Sequence, residues 1–147
     1  MEVRIQVEDF DLCSELDKIR KRHRDIGAVA SFVGIVREHG GISGMELEHY
    51  PGMTEAALEA ILIEAKHRWA ILDATVIHRV GRLEGSEQIV LAIVASPHRK
   101  EAFLALEFVV DKLKTEAPLW KKEKTQDGWK WVDAKESDDA AASRWIE

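Results

Sequence analysis

Residues 88–114 read QIVLAIVASPHRKEAFLALEFVVDKLK, and this stretch decides the fold. It is apolar from Ile89 to Ala95. A strand without polar alternation is covered on both faces, so it belongs in the middle of a sheet. Ser96 stands where an N-cap is needed, and Pro97 suits a first helical position. Ala102, Phe103, Leu106, Val109, Val110 and Leu113 then recur at helical spacing and predict a core stripe. The helix has to end before Pro118, because a proline pushes the preceding residue out of helical geometry.

Working outward, residues 74–83 (ATVIHRVGRL) read as a strand, and residues 54–69 as a helix capped by Thr54. Its stripe is Ala57, Leu58, Ile61, Leu62, Ala65 and Trp69. MELEHY alternates Met45, Leu47 and His49 before a turn at Pro51-Gly52. AVASFVGIV (28–36) is a mostly buried strand followed by a glycine-rich loop over 37–44. DLCSELDKIRKRH (11–23) puts Leu12, Leu16 and Ile19 on one helical face, and VRIQV (3–7) alternates as a short strand. Downstream, LWKKEKT and WKWVD flank Gln126-Asp127-Gly128, the signature of a hairpin turn. From Asp133 the chain is polar, so 134–147 reads as a fraying tail in which Trp145 and Ile146 can dock. The sum is an α+β single domain over 1–147, with a mixed sheet, about three helices and a C-terminal β-hairpin.

Composition narrows the function. With 46% hydrophobic and 33% charged residues, the 147-residue chain has the make-up of a globular domain. No apolar run reaches the roughly 20 residues of a membrane span, and the N-terminus lacks a signal-peptide pattern. One cysteine, Cys13, forms no internal disulfide, which fits a cytoplasmic location. A net charge of −6 argues against a general nucleic-acid binder, so any basic site is local.

Two stretches carry local positive charge. His98 and Arg99 fall in the first turn of a helix, where cations are disfavoured unless an anion offsets them. Taken alone they also read as solvated surface residues. The second is DKLKTEAPLWKKEKTQDGWKW (111–131), with six lysines. Lys112 and Lys114 suit a helix C-terminus, and Pro118 turns the chain so that Lys114 and Lys121 can converge. Lys121 and Lys122 point to opposite sheet faces, so only one of them shares a pocket with Lys114. A lysine crowded by cations or desolvated against tryptophan loses its proton more readily and can serve as acid or base. Arg37 closes a buried strand beside the glycine-rich loop, a place suited to binding. The histidines lack metal-ligand spacing, and His49 and His78 read as core residues. Trp129 and Trp131 alternate in a strand and read as packing, and Cys13 as an inert thiol.

The blocks FVGIVREHG, LEHYPGMTEAAL, VIHRVGRLEGSE, SPHRKEAF and LKTEAPLWKKE together resemble the large, catalytic subunit of molybdopterin synthase. The resemblance runs from about Gly27 to Lys135, in the family's order. It implies an α/β-hammerhead fold and a sulfurtransferase that installs the dithiolene sulfurs of molybdopterin on cyclic pyranopterin monophosphate. The sulfur comes from the C-terminal Gly-Gly thiocarboxylate of a small ubiquitin-like partner. The resemblance also implies a homodimer inside a heterotetramer, pockets lined by both protomers, and no resident cofactor or metal. Lys114 matches the catalytic lysine and Lys121 a second essential one. Lys122 and Glu123 extend that substrate-contacting segment, His98 and Arg99 match the pair holding the substrate's anionic part, and Arg37 matches a substrate-binding arginine. Ile35 stands where the family often has lysine. The rival readings are a non-catalytic module for a ubiquitin-like partner and a nucleic-acid binder built on the Lys/Trp hairpin.

Overall fold

A computed structural model describes residues 1–132 and 136–145. The apolar run becomes β6 (Gln88–Ser96), buried at every position from Val90 to Ser96. It lies between β4 (Asp73–Arg79) and β2 (Ala28–Ile35), antiparallel to both, and β1 (Glu2–Gln6) runs parallel to β4. On one face of this mixed sheet, α2 (Met53–Arg68) and α3 (Arg99–Glu116) pack Leu58, Ile61, Leu62, Phe108, Val109 and Leu113 against Val76, Val90, Ala92 and Val94. On the other, Ile19 of α1 (Leu12–Arg22) meets Ile77, Leu91, Ile93 and Ala95. Alternate residues of β6 serve opposite layers, which is why the whole run is apolar.

A second, fully antiparallel sheet has the order β5 (Gly81–Glu84), β3 (Gly44–His49), β7 (Leu119–Thr125) and β8 (Gly128–Val132). Its inner face closes a small cluster of Val36, Leu47, Val80 and Leu83, joined by Met45 and Leu119. The stretch read as one strand over 74–83 divides here: β4 belongs to the first sheet and β5 to the second. Gly81, at φ +90°, takes the left-handed backbone this change of sheet requires. The β7–β8 hairpin forms as read, and Gly128 supplies its positive φ of 106°.

Several local expectations are corrected. Ser96 is the last residue of β6, and the helix N-cap is His98. The Ser96 hydroxyl accepts from the His98 N–H at 3.2 Å and donates to the Ala70 carbonyl at 2.9 Å. Thr54 lies inside α2, where Glu55 accepts from the Gly52 N–H. Its buried hydroxyl instead accepts from the Tyr50 N–H and donates to the Pro118 carbonyl at 2.8 Å. Phe103 is exposed, its place in the stripe taken by Ala105 and Phe108. Trp131 is also exposed, on the outer face of the second sheet. Within the stretch read as a tail, α4 (Glu136–Ser143) is a fourth helix. Trp145 docks edge-on to Trp69 and Phe108, its indole N–H donating to Asp111 at 2.7 Å. Asp133 to Lys135, and the expected docking of Ile146, lie outside the described residues. Among the described residues no helix is long and apolar enough to cross a membrane.

Candidate functional site

The last turn of α3 delivers Lys114 to the seam between the two sheets. The helix gives way at Ala117, already extended ahead of Pro118, and the Thr54 hydroxyl ties the turn to the start of α2. β7 then pairs with β3, setting Leu119 opposite His49, Lys121 opposite Leu47 and Glu123 opposite Met45. Directly paired residues share a face, so Lys121 and Glu123 lie on the inner side with His49. The Lys121 ammonium stands 3.6 Å from Glu123.

Below this seam lies His78. It pairs with Ile5 and Val90, so its ring emerges on the α2–α3 side of the first sheet, the side on which Val90 and Leu113 belong to one core cluster. Its Nδ1 is 2.8 Å from the Arg79 carbonyl, which only accepts, so Nδ1 carries the proton. Burial pushes its pKa down to about 4, and the positive charges of Lys114 and His49 press the same way against the favourable Arg79 bond. Lys114, His49 and His78 are thus close electrostatic neighbours.

Lys122, by contrast, points to the outer face, with its ammonium 4.3 Å from the Trp131 ring centre and 3.9 Å from Glu48. Arg37 is exposed just beyond Val36, which is buried in the inner cluster. His98 and Arg99 are exposed at the opposite end of α3. Arg99 and Lys114 are fifteen positions apart, about 22 Å at 1.5 Å per residue. One chain therefore sets Lys121 and Glu123 on the inner face of the second sheet and Lys114 near His78, and leaves His98, Arg99 and Lys122 elsewhere. Lys112 is structural: it lies over Phe108 and pairs with Glu116 at 2.9 Å. His78 reads in the sequence as a core histidine, and its electrostatic proximity to Lys114 comes from sheet order that no local pattern encodes.

The family model described as MoaE protein matches residues 5–116. The chain belongs to the MoaE family. A protein of Ralstonia nicotianae called molybdopterin synthase catalytic subunit is 56% identical over 146 residues, covering 97% of this chain and 83% of that protein. The molybdopterin biosynthesis MoaE protein of Burkholderia ambifaria has a similar structure, with TM-score 0.86, 54% identity and 99% of each chain covered. A crystal structure of molybdopterin synthase from Staphylococcus aureus aligns at TM-score 0.79 and 34% identity, over 88% of this chain and 96% of that one. The MoaE family match includes Arg37, His98, Arg99 and Lys114, and stops short of Lys121.

Proposed function

We propose that this chain is the catalytic subunit of a molybdopterin synthase. It moves sulfur from the C-terminal thiocarboxylate of a small ubiquitin-like subunit onto cyclic pyranopterin monophosphate, building the dithiolene of molybdopterin in the cytoplasm. What supports the reading is the electrostatic contact of Lys114 with His78, which His49 shares from the inner face of the second sheet, the face that also carries Lys121; in this reading Lys114 and Lys121 converge there. Thiocarboxylate and cyclic phosphate are both anions, and bringing them together requires fixed positive charge. Lys114 works at the reacting centre as acid and charge stabiliser, and Lys121 holds the substrate's anionic part. Glu123 fixes the Lys121 ammonium. The sulfur nucleophile belongs to the partner, so Cys13, exposed on α1, has no chemical role.

The distance along α3 supports a shared site. His98 and Arg99 of one copy complete the pocket of Lys114 and Lys121 in another, so the working unit is a homodimer carrying two small subunits. Arg37 borders the pocket beside Val36, and Lys122 serves from the outer face. The direct test mixes the protein with a thiocarboxylated small subunit and cyclic pyranopterin monophosphate and assays for molybdopterin. Product formation dependent on all three is expected; a reaction that runs equally without this chain contradicts the reading.

A further inference from the structure

Phe103 stands on α3 at 65% exposure, the most exposed large apolar side chain among the described residues. Leu106 and Val110 follow it along the helix, and both are only partly buried. With Ser31 and Phe32 of β2, the edge strand of the first sheet, they line an open groove of about 320 Å³. The rim of the groove carries two carboxylates, Glu107 and Asp111, and Arg144 pairs with both, at 2.6 and 2.7 Å. The charge at the rim is thus already balanced within the chain. A contiguous apolar stripe with a neutralised polar rim has the make-up of a surface that another protein covers.

The spacing of the stripe says what covers it. Arg99, Phe103, Leu106, Val110 and Lys114 are separated by four, three, four and four residues. At about 100° per residue they lie within an arc of about 80° on one side of α3. The stripe is also self-complementary. Arg99 and Lys114 stand equally far on either side of a midpoint between Leu106 and Glu107, and so do Phe103 and Val110. A two-fold axis through that midpoint lays the helix antiparallel to its own copy.

We propose that the groove is filled by a second copy of this chain, docked α3 against α3, with Phe103 packed on Val110 of the second copy and Leu106 meeting its own counterpart. At the ends of the stripe the same register carries Arg99, with His98 beside it, to Lys114 of the second copy. Like charges face each other there, and an anion bound between them offsets the repulsion. The inference takes its register from the shared-site reading above and its surface from the stripe alone.

Sedimentation of the chain, with Cys13→Ser as the background, tests it. Phe103 is exposed, so Phe103→Asp should keep the fold, read by circular dichroism, and weaken the dimer by about a hundredfold. Reconstituted with thiocarboxylated partner and pterin, this variant should lose turnover at concentrations where wild type is dimeric. It should regain turnover as its own concentration is raised, which a damaged fold would not do. Leu106→Cys should form a disulfide-linked dimer on mild oxidation, and Ile63→Cys, exposed on α2, should not. A Phe103→Asp protein as dimeric as wild type, or equal cross-linking at positions 106 and 63, overturns the proposal. If that variant stays dimeric while mixed Lys114→Ala and His98→Ala/Arg99→Ala chains recover activity, the shared site stands and this interface falls. A wild-type chain fully active as a monomer would overturn the shared-site reading itself.

Discussion

The two sheets follow opposite rules. The first is covered on both faces, and β6 can be apolar throughout because both sides of it are core. The second has one covered face, and its strands alternate Leu47 and Lys121 inward against Glu46, Lys122 and Trp131 outward. The first sheet is a scaffold whose residues are set by packing. The second tolerates charge, and the candidate chemistry lies where the end of α3 meets it. Stability and activity should therefore respond to different substitutions, and the contrast can be broken experimentally.

The largest effect is expected at the seam. Lys114→Ala should lower turnover about a thousandfold while its denaturation midpoint stays at the wild-type value; loss of fold together with activity would erase the distinction. Next comes the scaffold. Phe108 is fully buried between Trp69, Trp145 and Arg68, so Phe108→Ala should cost about 3–5 kcal/mol in chemical denaturation. A loss below about 1 kcal/mol would show that this side of the first sheet is not a packed core.

His78 sharpens the comparison through pH. Its folded pKa, about 4, lies below the ordinary histidine value, so the unfolded chain takes up its proton first as pH falls. Its contribution is complete above about pH 6.5 and disappears toward pH 4, by up to about 3 kcal/mol. Stability measured against pH should fall less steeply in His78→Leu than in wild type, and parallel curves would refute the buried neutral ring. The smallest effect belongs to the outer face: Trp131→Ala should change stability by no more than about 0.5 kcal/mol, and a core-sized loss would mean that this face is covered.

Much of this was readable in the amino-acid order. The run from Ile89 to Ala95 and the stripe ending at Leu113 placed the central strand and its helix, because burial on two faces and on one leaves different periodicities. The strand period put Lys121 and Lys122 on opposite faces of β7. What was missed depended on partners remote in sequence. Gly81 separates two strands because a second sheet is waiting for β5. Ser96 looks like a cap, but β6 pairing extends through it, and its hydroxyl bridges the Ala70 carbonyl and the N–H of His98, the actual N-cap. Trp131 alternates like a core residue, yet the face it joins has nothing over it among the described residues. His98 and Arg99 lie far from Lys114 for a reason the helix length already contains: eighteen residues hold its ends apart.

That separation gives the most direct test of the central claim, that cations from opposite ends of α3 meet across two copies. Lys114→Ala and the double variant His98→Ala/Arg99→Ala are each purified, mixed, and allowed to exchange subunits before assay with thiocarboxylated partner and pterin. Random exchange makes half the dimers mixed, each with one of two sites intact, so activity should rise from near zero to about a quarter of wild type. Mixed dimers verified by mass spectrometry that stay inactive would contradict it.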